Sequence, residues 1–174
     1  MCALGGNERF AKEVGVKSAN ERGRKEMKMV IQTCCATLMV VLGVGCASTR
    51  QVVPFPDQSV QVEDPSMARI YVLRPSTYGG AISMRVLDDD ELIGRTGPRG
   101  FLCWEREPGE IEVVGRAENT FTLPISLEAG EVYYIEQRVR MGLLSARNQL
   151  DQLSEERGKL LLERCREPII EVSD

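Results

Sequence analysis

The chain has 174 residues, 43% of them apolar, enough for one packed domain with additional chain around it. Its net charge of −4 divides into +3 over residues 1–45 (seven Lys/Arg, four Asp/Glu) and −7 over residues 46–174 (fifteen Lys/Arg, twenty-two Asp/Glu). An acidic body argues against nucleic acid and against holding anionic lipid by charge alone. The absence of histidine removes the commonest general base, metal ligand and neutral-pH switch.

Residues 1–26 are polar and lack an amphipathic stripe, so they read as a mis-assigned gene start or a disordered extension, with Met27 the better start. From Val30 to Gly45 the chain is apolar and uncharged, directly after Lys25 and Lys28. A membrane span needs roughly 20 apolar residues. This shorter run behind a positive segment, closing in small residues, describes a signal peptide over residues 27–45. Its end, Gly43-Val44-Gly45-Cys46, resembles a bacterial lipobox, although Leu42 stands one position further out than the motif's usual leucine.

That resemblance implies cleavage between Gly45 and Cys46 and a diacylglyceryl group on the Cys46 sulfur. Stable anchoring follows when two or more acyl chains are buried, each methylene contributing about 0.8 kcal/mol. The expected location is a bacterial cell envelope, lipid-anchored and facing the periplasm. Ala47 in place of Asp after the cysteine favours the outer membrane, by resemblance to Gram-negative sorting. Residues 46–66, rich in Ser, Gln, Pro and Asp, read as a flexible tether.

A domain over residues 67–174 then follows, in short runs of period two. Strands are expected at 68–73, at 82–87 with Met84 and Val86 on one face, and at 91–94 returning from an Asp88-Asp89-Asp90 turn. Further strands are expected at 101–104, 110–116, 121–127, 131–139 and 148–153. Pro124 cannot donate a ladder hydrogen bond and puts its strand at an edge or a bulge. Ser154 followed by Glu155 and Glu156 caps a short helix that Pro168 follows. The pattern predicts an all-β, antiparallel β-sandwich of about seven to eight short strands with one short C-terminal helix.

ARIYVLRPS, the Asp-turn hairpin ending LIG, REPGEIEVV, LEAGEVYYIEQRV, the stretch Gly142–Arg147 and SEERGKLLLERC occur in this order. Together, over roughly residues 67–166, they resemble the domain-of-unknown-function family 2846, often found in bacterial lipoproteins. The resemblance implies a secreted or lipid-anchored β domain and offers no catalytic residues to carry over.

Among candidate sites, the consecutive acids Asp88–Glu91 lack the alternation of a calcium loop and read as a solvated turn. Cys103 and Cys165 are a candidate disulfide, with two buried free thiols as the equal alternative. Most aromatic residues belong to the core, while Tyr78 and Gly80, in a loop, are candidate ligand contacts. The only lysine after Cys46 is Lys159, so a Ser-Lys dyad has no support. No catalytic residue, metal ligand or cofactor is expected. The function read from these features is a non-enzymatic envelope interaction or structural module, held to the membrane by its lipid and meeting other envelope proteins. The alternative is a periplasmic protein binding a small ligand or glycan.

Overall fold

Two sheets face one another across a shared core. The structure, a computed structural model, describes residues 47–142 and 146–171. Residues 1–26, the expected signal segment 27–45 and Cys46 lie outside them. Among the described residues there are ten strands: β1 (Arg50–Gln51), β2 (Ala68–Arg74), β3 (Met84–Asp88), β4 (Glu91–Thr96), β5 (Gly100–Arg106), β6 (Gly109–Arg116), β7 (Thr120–Leu127), β8 (Val132–Met141), β9 (Ala146–Leu153) and β10 (Ile169–Ile170). One helix, α1 (Glu155–Leu162), follows β9.

The sheets are ordered β10-β1-β4-β3-β6-β7 and β5-β2-β8-β9. The eight longer strands match the expected ones, and β7, which carries Pro124, lies at an edge. Most strand pairs are antiparallel, as expected of the sandwich, and two are parallel. β2 runs parallel to β8 in the middle of the four-stranded sheet, and β1 runs parallel to β10. Strand direction here depends on how the chain crosses between sheets, which local period does not encode.

The inner faces meet in one cluster that includes Ile70, Val72, Leu102 and Ile135 from one sheet and Val86, Ile93, Val113 and Ile125 from the other. β2 is buried on both faces. Its alternate residues Tyr71 and Leu73 join Phe101, Cys103, Tyr134 and Leu161 in a second cluster beneath α1. Double burial explains why ARIYVLR reads as a near-continuous apolar run.

An eight-residue helix is marginal alone. Here the Ser154 side chain accepts from the Arg157 N–H at 3.4 Å, Glu155 and Glu156 occupy the first turn, and Leu161 and Gly158 are buried. Gly158 sits against the Tyr134 ring, which stacks on Tyr71 at 5.2 Å and 8°.

The tether expected over residues 46–66 is corrected: from Ala47 onward the described chain is fastened to the domain. The Ala47 N–H donates to the Gly80 carbonyl (2.9 Å), Thr49 Oγ1 accepts from the Gly97 N–H (2.8 Å), and β1 pairs with β4. Gln51, 0% exposed, accepts from the Cys103 N–H (3.0 Å) and donates to the Cys103 carbonyl, satisfying both backbone groups on the edge strand β5. Buried Arg69 donates to the carbonyls of Asp57 (3.0 Å) and Val60 (2.7 Å), and the Tyr71 hydroxyl donates to Gln58 (2.8 Å). Polar residues that suggested solvation instead clamp backbone that would otherwise be unpaired.

The unit Gly45–Asp174 contains both sheets, both clusters and the partners just named. It therefore holds what its own fold requires. Among the described residues, no helix is long and apolar enough to cross a membrane.

Candidate functional site

The register gives the sandwich two distinct ends. At one, the β3–β4 turn, the β5–β6 turn and the 128–131 connection gather. At the other, the chain enters at Ala47 beside the 75–83 and 97–99 connections.

The first end carries an open cleft of about 700 Å³, bounded by Val53–Pro56, the Asp88–Glu91 turn and residues 104–110. Asp88, expected in a solvated turn, is 5% exposed. Its Oδ2 accepts from the Trp104 indole N–H at 2.8 Å, and its Oδ1 pairs with Arg106, which also reaches Asp89 at 2.9 Å. Burial pushes the Asp88 carboxyl above the ordinary Asp range, against the opposing pull of Trp104 and Arg106. Asp89 is held low because its carboxylate accepts from the Glu112 backbone N–H. It adopts φ 50°, a left-handed turn conformation that Asp tolerates.

Chemically, the cleft combines an apolar floor with carboxylates. Asp90, Glu91, Glu107 and Glu110 line its exposed rim. The arrangement attracts cationic groups. It offers no free indole face, because Trp104 is 4% exposed and its N–H is taken by Asp88. Burial of Asp88 escapes sequence reading because its partners, Trp104 and Arg106, lie on the opposite sheet.

At the second end, Tyr78 is 51% exposed, while the Gly80 carbonyl is occupied by Ala47. The loop is held from within by Arg74, 0% exposed. Its guanidinium donates to the carbonyls of Tyr78 (3.3 Å), Gly79 (2.9 Å), Ile82 (2.7 Å) and Thr96 (3.1 Å). The two candidate contacts therefore separate: Gly80 fixes the entering chain, and only Tyr78 presents a side chain to solvent. Gly45 and Cys46 lie outside the described residues.

Cys103, buried in the cluster beneath α1, and Cys165, half-buried against it, are free thiols. Burial raises both to about 11, with Gln58 near Cys103 and the Arg74 backbone near Cys165 pulling the other way. They are protonated packing groups rather than nucleophiles.

The chain is 32% identical over 91 residues to an uncharacterized protein of Haemophilus influenzae. The match takes in 52% of this chain and 54% of that protein, so the chain spans about half the length of this relative. A family model described as "Protein of unknown function (DUF2846)" matches residues 64–149, from just before β2 into β9. The match stops before α1, so the closing SEERGKLLLERC segment lies beyond it. Over residues 64–149 the chain is thus similar to the DUF2846 family.

Proposed function

We propose that this protein is a lipid-anchored cell-envelope lipoprotein whose β-sandwich is a non-enzymatic interaction module facing the periplasm. One observation carries the reading beyond the lipobox-like sequence. Ala47, the residue directly after Cys46, already hydrogen-bonds into the domain, and both sheets are built from residues that follow it. Cleavage at Gly45-Cys46 would leave every described strand and cluster intact. Neither cysteine thiol within the described domain is activated, and the acids of the cleft are engaged structurally or line its open rim. These features support binding over catalysis, without a metal or cofactor.

The second reading, a small-ligand-binding protein, is favoured by the cleft itself, with a cationic ligand preferred over a glycan because no aromatic platform is presented. The anchor is tested by Cys46→Ala in cells given radiolabelled palmitate. Loss of label and of membrane fractionation is expected, and unchanged labelling refutes the reading.

A further inference from the structure

The opposing charges of this domain are gathered at opposite ends. Around the cleft, residues 57–64, 88–91, 105–112 and 128–131 carry thirteen Asp/Glu and one Arg. At the end where Ala47 enters, residues 74–85, 95–100, 116–120, 138–142 and 146–147 carry eight Arg and one Glu. The acidity of the chain after Cys46 therefore describes one end and conceals a basic one.

Within the basic end, four arginines form a row. Arg50 of β1 is in register with Arg95 of β4, Arg95 with Arg85 of β3, and Arg85 with Arg116 of β6. Directly opposed residues on adjacent strands project from the same face, and all four are exposed. With neighbouring strands about 4.8 Å apart, the row spans about 14 Å. Like charges placed directly opposite destabilise a sheet. Arg50 is relieved by Glu171 at 2.7 Å, whereas Arg85, Arg95 and Arg116 have no ion pair among the described residues. These three line a shallow open groove with Ser83, Thr120 and one acid, Glu118.

We propose that the row Arg95-Arg85-Arg116 seats the domain on a membrane surface bearing anionic phosphate headgroups. The position of the anchor residue selects this occupant. Arg50 is four chain steps from Cys46, a reach of at most about 14 Å of extended chain. A bilayer that holds the Cys46 lipid therefore lies within reach of the row. Guanidinium forks pair with phosphate oxygens in two-pronged fashion, which lysine does not match. Exposed Tyr78 at the same end adds an amphipathic ring of the kind favoured at the headgroup level. The inference deepens the anchored-module reading and rests on it only for the choice of a bilayer as the occupant.

The test uses residues 46–174 with Cys46→Ser, which carries no lipid, and sedimentation with phosphatidylcholine vesicles with or without about 30% phosphatidylglycerol. Binding to the anionic vesicles alone is expected. Each arginine near such a surface contributes about fivefold, so the triple variant Arg85→Gln, Arg95→Gln, Arg116→Gln should bind roughly a hundredfold more weakly. A control removing equal charge elsewhere, Arg157→Gln with Lys159→Gln and Arg164→Gln, should bind like the parent. Circular dichroism verifies the fold of each variant. Without any variant, raising salt from about 0.05 to 0.5 M should release the parent from the vesicles.

Indifference to lipid charge, binding insensitive to salt, a triple variant that binds like the parent, or a control that loses as much each overturns the proposal. Retention on single-stranded DNA without vesicle binding also overturns it. Palmitate labelling of Cys46 stands or falls separately, so a failed row and a failed anchor are distinguishable.

Discussion

Replacing Gly158 by alanine sets two known effects against one another. In a free helix the change stabilises by about 1 kcal/mol, because glycine has more backbone freedom to lose. Here the new Cβ would stand 2.6 Å from Tyr134 Cδ1 and closer still to Cγ and Cβ, inside any ordinary contact. Cβ and Cγ sit at the root of the side chain on β8, and the ring is stacked on Tyr71, so the tyrosine cannot swing away. α1 must instead lift by about an ångström, disturbing Leu161 in the cluster below. Overpacking of this kind costs about 1–3 kcal/mol before the propensity gain is subtracted. A net loss of about 1 kcal/mol is expected, with faster alkylation of Cys165 as its cover loosens. Urea unfolding of the 46–174 chain with Cys46→Ser, followed by Trp104 emission, should show a midpoint lower by about 0.5 M. Exposed Glu156→Ala in the same helix should leave it nearly unchanged. A Gly158→Ala midpoint above the parent would refute the packing of α1 on Tyr134.

Gln51→Ala removes both partners of the Cys103 backbone and should destabilise by about 2–4 kcal/mol in the same assay, since each buried orphan costs about 1–3 kcal/mol; a loss under about 0.5 kcal/mol would contradict the clamp. Cys103, raised to about 11 by burial, favours the fold while protonated. The sign is that of a raised pKa: its contribution is present below pH 9 and is lost as pH rises from 9 to 11, by up to about 3 kcal/mol. Stability profiles of the parent and of Cys103→Val should diverge across that window; parallel profiles would sink the assignment.

The eight longer strands and α1 are legible because each signal is local. Alternation marks β7, the Pro108-Gly109 break separates β5 from β6, and Ser154 caps the helix as its sequence predicts. β1 and β10 are two residues each, too short for any period, and exist only through their partners. The composition of residues 46–66 suggests a tether because Gln, Ser and Asp are common in solvated chain. Gln51 instead acts as a substitute peptide group for β5, and Gln58 accepts from the Tyr71 hydroxyl on β2, both far away in sequence. The arginine row is hidden for the same reason. Arg85, Arg95 and Arg116 look like ordinary outward-facing residues of three strands, and only register makes them neighbours.

A fastened entry changes what an anchored domain can do. A free tether of about 20 residues would let the domain wander over roughly 25 Å with no preferred orientation. With Ala47 bound to Gly80 and β1 in the sheet, the chain leaves the domain at one fixed point. Under the proposed anchor, the arginine end is then held toward the bilayer whether or not a soluble partner is present. Seven-residue β2 spans about 23 Å between the ends. Under the same proposal the carboxylate-lined cleft stands at least that far along the sandwich from the entry, away from headgroup phosphates that would repel its acids. Separating the charges makes each end suited to a different neighbour, an anionic surface at the entry and a basic one at the cleft. A fixed orientation is what allows both to be met at once. Reversing the three arginines to glutamate should therefore weaken seating without altering the cleft, while neutralising Glu107 and Glu110 on the cleft rim should leave seating intact.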